Sequence, residues 1–174
     1  MEVKTIVTGV LEENCYLLIS GKEAIIVDPG DHFEIIKKAY QNYHILAILI
    51  THHHFDHIGA LQQVKEDTHA QVLEYPHLEE KQYQIGPFTF EVIFTKGHSK
   101  DSVTYYFKEH NCMFVGDFIF QNSIGRMDLE GGNEEEMIQS IERIKTYPSN
   151  TILYPGHGLS TTLQEEKEHN IFLH

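Results

Sequence analysis

The chain has 174 residues, with 13 Lys plus Arg against 26 Asp plus Glu, a formal net charge of −13 at pH 7. That charge argues against a nucleic acid or an anionic membrane as partner, because phosphate binding requires a basic surface; no run approaches 18 apolar residues, and the Met1-Glu2-Val3-Lys4 start lacks a signal-peptide core. An ordinary soluble domain is expected, with only Cys15 and Cys112, too few for a disulfide framework, so a reducing cytoplasm is the expected setting; the unusual count is 13 histidines.

Strands are predicted over Glu2–Thr8, Cys15–Ser20 and Ala24–Asp28, with a Gly21-Lys22 turn joining the second and third as a hairpin. Pro29-Gly30-Asp31 stops the third strand. Asp31 is placed to cap a helix over His32–Tyr43 with Phe33, Ile36 and Tyr40 on one face. The unbroken apolar run Leu46-Ala47-Ile48-Leu49-Ile50 reads as a strand buried on both faces. A helix follows over Ile58–Glu66, then a strand at Ala70–Glu74. Phe88, Phe90, Val92 and Phe94 alternate with Thr89, Glu91, Ile93 and Thr95, the period of a half-buried strand. Strands at Val103–Phe107 and Cys112–Val115 precede a helix over Glu134–Thr146, whose apolar face is Met137, Ile138, Ile141 and Ile144. A strand at Thr151–Tyr154 and a helix at Leu163–Asn170 close the chain. No linker or repeat interrupts it, so one α/β domain over residues 1–174 is expected, with two mixed sheets and outer helices.

The chemistry concentrates in Thr51-His52-His53-His54-Phe55-Asp56-His57. In extended backbone, residues two apart share a face, so His52 and His54 can meet one metal ion while His53 points away. Asp56 and His57 lie at the turn into the helix, within reach of a neighbouring point, and Asp56 also suits a helix cap. Three more segments repeat one pattern: a short apolar strand, a Gly or Pro turn, then a potential ligand. They end in Gly97-His98, Gly116-Asp117 and Pro155-Gly156-His157. Ligands on loops just past strand ends can converge from one edge of a sheet. Imidazoles and carboxylates suit zinc, and also iron or manganese. Five His and two Asp exceed the needs of one tetrahedral ion; they match two divalent metal ions, zinc ahead of iron or manganese, sharing one carboxylate with water or hydroxide between them.

 The remaining histidines, His32, His44, His69, His77, His110, His169 and His174, lack this strand-end context, and Cys15 and Cys112 read as small buried apolar side chains. Gly97-His98-Ser99-Lys100-Asp101 lacks the final glycine of a nucleophile elbow and leads into a strand. Gly156-His157-Gly158 lacks the lysine of a phosphate loop.

The His52–His57 block resembles the H-x-H-x-D-H signature of the metallo-β-lactamase superfamily, and Gly97-His98, Gly116-Asp117 and Gly156-His157 match its remaining motifs in order. Glu13-Asn14-Cys15-Tyr16-Leu17, Val27-Asp28-Pro29-Gly30, Ser123-Ile124-Gly125-Arg126-Met127-Asp128, Tyr154-Pro155-Gly156-His157-Gly158 and Glu168-His169-Asn170-Ile171-Phe172-Leu173 are similar to stretches of short bacterial glyoxalase-II-like (hydroxyacylglutathione hydrolase-like) hydrolases. The resemblance covers nearly the whole chain. It implies a four-layer αβ/βα sandwich with the metals at one edge. It further implies that His52, His54 and His98 hold a first metal, that Asp56, His57 and His157 hold a second, and that Asp117 bridges them. Asp28 would orient a ligand imidazole. Arg126 lies in a matched loop, with no role assigned by physical argument. Ala60 and Lys96 stand where Gly and Pro are common, and the tail after His157 is shorter than the helical domain that helps full glyoxalase II enzymes hold glutathione.

The expected function is a metal-dependent hydrolase of a small-molecule thioester or ester. Hydroxide held between two metal ions, zinc first among the candidates, would attack the carbonyl, with Asp56 hydrogen-bonded to it and the second metal accepting the thiolate. The alternatives are a mononuclear-iron persulfide dioxygenase, a lactonase and a non-catalytic metal-binding protein. A di-iron electron-transfer protein is less expected, since His54 stands where a carboxylate is frequent in such proteins. A β-lactamase is disfavoured because many place Cys where Asp117 stands.

Overall fold

The computed structural model describes residues 1–174. Its first sheet has five strands in chain order: β1 (Glu2–Thr8), β2 (Glu13–Ser20), β3 (Glu23–Val27), β4 (His44–Leu49) and β5 (Gln71–Leu73). The first three form an antiparallel meander, and β3, β4 and β5 run parallel. Parallel neighbours need crossovers, which α1 (Phe33–Tyr40), α2 (Phe55–Ile58) and α3 (Leu61–Thr68) provide.

The second sheet contains β6 (Gln82–Ile85), β7 (Phe88–Phe94), β8 (Val103–Phe107) and β9 (Cys112–Gly116), each antiparallel to the next. After the small hairpin of β10 (Ile119–Phe120) and β11 (Ser123–Ile124), α4 (Glu134–Ile144) crosses to β12 (Ile152–Pro155), which lies parallel to β9. The edge strand β13 (Thr161–Thr162) and α5 (Leu163–His169) follow. No helix is long and apolar enough to cross a membrane.

Side-chain alternation explains the layering. Ala47 and Leu49 face a core between the sheets, shared with Tyr16, Leu18, Phe88, Phe90, Tyr105 and Phe114. Ile48 and Ile50 point the other way, beneath Ile36 and Tyr40 of α1 and Val64 of α3. The run at 46–50 is therefore apolar throughout because both faces are covered. Met137, Ile141 and Ile144 of α4, with Leu163 of α5, cover Ile93, Met113, Val115 and Leu153 on the outer face of the second sheet. The expected two sheets with outer helices are present. Replacing a fully buried side chain such as Ile48 by Ala costs about 2–5 kcal/mol in such a core.

Several local expectations differ from the structure. Asp31 does not cap α1: His32 is the N-cap, at φ +55°, and the Asp31 carboxylate accepts the His32 N–H at 2.6 Å. The helix ends at Tyr40 rather than Tyr43. The helix expected over Ile58–Glu66 is two helices, because the chain turns at Gly59-Ala60 to meet Pro29-Gly30. There the Ala60 N–H donates to the carbonyls of Pro29 and Gly30 at 3.0 and 2.8 Å. A Cβ on Gly59 would lie 2.2 Å from the Gly30 oxygen. Asp56 lies inside α2, whose N-cap is His54, so Asp56 is not a cap. Ile138 is 54% exposed; Ser140 takes the buried place and donates to the Lys96 carbonyl at 2.7 Å.

Candidate metal centre

The topology brings the C-terminal ends of β7, β9 and β12 to one edge of the second sheet. Two antiparallel steps return β9 to the direction of β7, and β12 is parallel to β9. The loops leaving those ends carry His98, Asp117 and His157, and beyond β4 of the first sheet the loop carries His52 and His54 and the following α2 carries Asp56 and His57. Their donor atoms converge in two groups.

In the first group, His52 Nε2 lies 3.1 Å from His54 Nδ1, which lies 2.9 Å from His98 Nε2. In the second, Asp56 Oδ2 lies 3.2 Å from His157 Nε2 and 4.0 Å from His57 Nε2. Asp117 stands between them. Its Oδ2 is 3.7 Å from His98 Nε2, while its Oδ1 is 3.3 Å from His57 Nε2 and 3.6 Å from His157 Nε2. All seven side chains singled out in the sequence thus meet at one place, in groups that could hold metal ions. Nitrogens at about 2.0–2.1 Å from one tetrahedral zinc stand roughly 3.3 Å apart, so the spacing fits the donor set. His57 Nε2 and Asp117 Oδ1 are also buried polar atoms with no hydrogen-bond partner. Orphaned atoms of that kind need a cation or a proton between them.

Hydrogen bonds behind the donors orient four of the five imidazoles. His57 Nδ1 donates to Asp28 Oδ2 at 3.0 Å. His52 Nδ1 donates to Thr51 Oγ1 at 3.1 Å, and that hydroxyl donates to Asp28 Oδ2 at 2.6 Å. His98 Nδ1 donates to the Arg126 carbonyl at 2.8 Å, and His157 Nδ1 to the Leu11 carbonyl at 3.0 Å. Each bond places the hydrogen on Nδ1 and leaves the Nε2 lone pair directed into the centre, as metal sites require. His54 alone presents Nδ1.

Electrostatics sort the imidazoles. Burial, then the neighbouring His57, keeps the His52 pKa well below the ordinary value; burial and His98 lower that of His54. Burial opposes charge on His57 too, but the Asp117 carboxylate 3.3 Å away and the bond to Asp28 prevail and raise its pKa well above the usual histidine range. Burial pushes Asp117 up, and the neighbouring His57 outweighs it, so its carboxyl titrates well below the usual carboxylate range. The strip between Asp28 and Asp117 therefore attracts positive charge. Glu13, buried beneath it with Oε1 unpartnered, is raised to about 9 by burial.

Backbone fit matters as much as the donors. A Cβ on Gly156 would lie 2.3 Å from Asp117 Oδ1 and 2.5 Å from His57 Cε1. A Cβ on Gly125 would lie 1.8 Å from the Asp117 carbonyl oxygen. These glycines let the loops close on the centre.

His53 does point away. Its ring bonds Asp101 through Nδ1 and Glu74 through Nε2, the latter at 2.9 Å. The Arg126 side chain is exposed and pairs with Asp128, its Nε and Nη2 each donating at 2.7 Å; the part of Arg126 that meets the centre is its backbone carbonyl. Sequence reasoning missed Thr51, the link from Asp28 to His52, and Asn14. The Asn14 amide donates to the carbonyls of Pro155 and Gly158 at 3.1 and 2.9 Å, holding the His157 loop. The only signal for either residue was its place in a matched motif.

A family model described as the metallo-beta-lactamase superfamily matches residues 8–82 and 73–157. The probable metallo-hydrolase YqgX of Bacillus subtilis (strain 168) is 36% identical, with 99% of this chain and 98% of that protein covered. The hydroxyacylglutathione hydrolase GloC of Haemophilus influenzae is 30% identical over 99% and 98% of the two chains. Among crystal structures, BLEG-1 B3 metallo-beta-lactamase superposes with TM-score 0.93 at 38% identity, covering 99% of each chain. TTHA1623 in a di-iron-bound form superposes with TM-score 0.91 at 32% identity, covering 98% of this chain and 100% of that one. The matched model spans the strands and loops that carry every donor described above, and with these relatives it establishes that the chain belongs to the metallo-beta-lactamase superfamily.

Proposed function

We propose that the chain is a dinuclear metal-dependent hydrolase of thioesters, glyoxalase-II-like in its chemistry. The observation that carries this reading is the pair of donor groups with Asp117 reaching both. His52, His54 and His98 would hold one ion, Asp56, His57 and His157 the other, and Asp117 would join them. Bound divalent ions supply Lewis acidity and lower the pKa of water to about 7. The chain's own groups then set the geometry. The Asp56 carboxylate would also accept a hydrogen bond from the attacking water and so orient it. Asp28 holds the His57 and His52 rings, directly and through Thr51, so that neither turns during turnover.

The 30% identity to GloC supports the thioester, and the di-iron form of TTHA1623 supports iron beside zinc as an occupant. The small-molecule substrate matches the family's hydrolases, and the charge of −13 disfavours nucleic acid. The test is a turnover panel of thioesters, a lactone and a β-lactam with protein loaded with zinc, iron or manganese. Thioester hydrolysis that disappears in Asp117→Ala and His54→Ala together with bound metal supports the reading. Undiminished turnover after metal removal overturns it. Oxygen uptake with a persulfide would instead identify the dioxygenase alternative.

A further inference from the structure

Beside the centre lies a pocket of about 310 Å³, lined by Val10 and Leu11 at the tip of the β1–β2 hairpin, by Phe55 and Asp56 of α2, and by the backbones of Gly30 and Gly59. Val10 is 92% exposed, Phe55 74% and Leu11 49%. Grouped apolar side chains left in water mark a binding surface more often than isolated ones do. These three are tied to the donors. Phe55 directly precedes Asp56, and the Leu11 carbonyl accepts from His157 Nδ1 at 3.0 Å. No Lys or Arg lines the pocket; its charged residues are Asp31 and Asp56.

Resting on the thioesterase reading, we infer that this pocket receives the acyl chain of the substrate and selects uncharged acyl groups longer than acetyl. An acyl chain has a free apolar end, which suits a pocket closed by the Gly30 and Gly59 backbones. A Cβ on Gly30 would lie 2.1 Å from the Asp56 carbonyl, so that wall is already in close contact. Carboxylate-bearing acyl groups would meet the Asp31 carboxylate and find no Lys or Arg in the pocket to pair with.

The test uses zinc-loaded protein and ketone analogues in which CH2 replaces the thioester sulfur. One set carries acetyl, butanoyl and hexanoyl chains on a fixed N-acetylated two-carbon carrier; a second keeps acetyl and lengthens the carrier. Binding is followed by backbone amide NMR. Full burial is worth about fourfold per methylene, and a half-open pocket about twofold. Affinity is therefore expected to rise about 16-fold from acetyl to hexanoyl, with shifts at Val10, Leu11 and Gly59. The second set should gain nothing. A Val10→Ser/Phe55→Ser double variant, whose fold the same spectra check, should flatten the gradient. Affinity independent of acyl length, a gradient that follows the carrier, or self-association through these residues would overturn the inference. The same protein is assayed with acetyl and hexanoyl thioesters. If neither is hydrolysed, the thioesterase reading fails, while the ketone series still decides whether the pocket takes an apolar chain.

Discussion

Asp28 Oδ2 accepts from His57 Nδ1 at 3.0 Å while Asp28 Oδ1 accepts the Thr51 N–H at 2.7 Å, and all three residues are buried. One carboxylate thus aligns a histidine of the centre and anchors the loop that bears the others. Asp28→Asn keeps the shape but offers only one acceptor oxygen, so His57 loses its fixed tautomer. Metal affinity is expected to fall about 10- to 100-fold, measured by competition with a chelator. Unchanged affinity would remove Asp28 from the role proposed for it.

Gly156→Ala inserts a methyl group where Asp117 Oδ1 and the His57 ring already lie 2.3 and 2.5 Å away. The expected result is a folded protein with weakened metal binding, read by circular dichroism beside metal analysis. Full metal content in the variant would show that the loop yields at little cost.

Acid should release the metal. The five imidazoles must be neutral to bind, so protons compete as pH falls from 7 to 4. Burial, which lowers the His52 and His54 pKa values, favours the neutral rings that metal binding needs. Metal content after dialysis across this range measures the release, and full retention at pH 4 would contradict the donor set.

His53 tests electrostatics outside the centre. Its bond to Asp101, opposed by burial and aided by Glu74, raises its pKa to about 9 from an ordinary 6.5. A raised folded-state pKa stabilises fully below about 6.5, and the stabilisation disappears as pH rises through about 9. The ring is more than a third exposed, so screening limits the effect to about 1 kcal/mol or less. Urea unfolding of metal-free wild type and Asp101→Asn should differ more at pH 6 than at pH 10. An equal difference at both would mean that the charge contributes nothing.

Both cysteines should be inert. Burial raises Cys15 well above its ordinary value and Cys112 to about 12, leaving almost no thiolate at pH 8. A thiol reagent should react with neither in native protein and with both in denaturant.

The amino-acid sequence alone determined those features that arise from a few neighbouring residues. Val103–Phe107 reads as a strand and is one, and the strand-end donors His98, Asp117 and His157 stand out because each follows an apolar run and a turn. Alternation and helical period operate over one or two turns of chain, so they survive in any tertiary context. Gln82–Ile85 escaped notice because its alternation, Tyr83 and Ile85 between two glutamines, is too short to stand out, and pairing with β7 makes it a strand. Tertiary structure decided which donors share a group, why His54 presents Nδ1 while the others present Nε2, and how Asn14 and Tyr16 meet the Pro155 carbonyl 141 and 139 residues away. Those relationships depend on the register of two sheets and the closure of glycine loops, and long-range packing sets both.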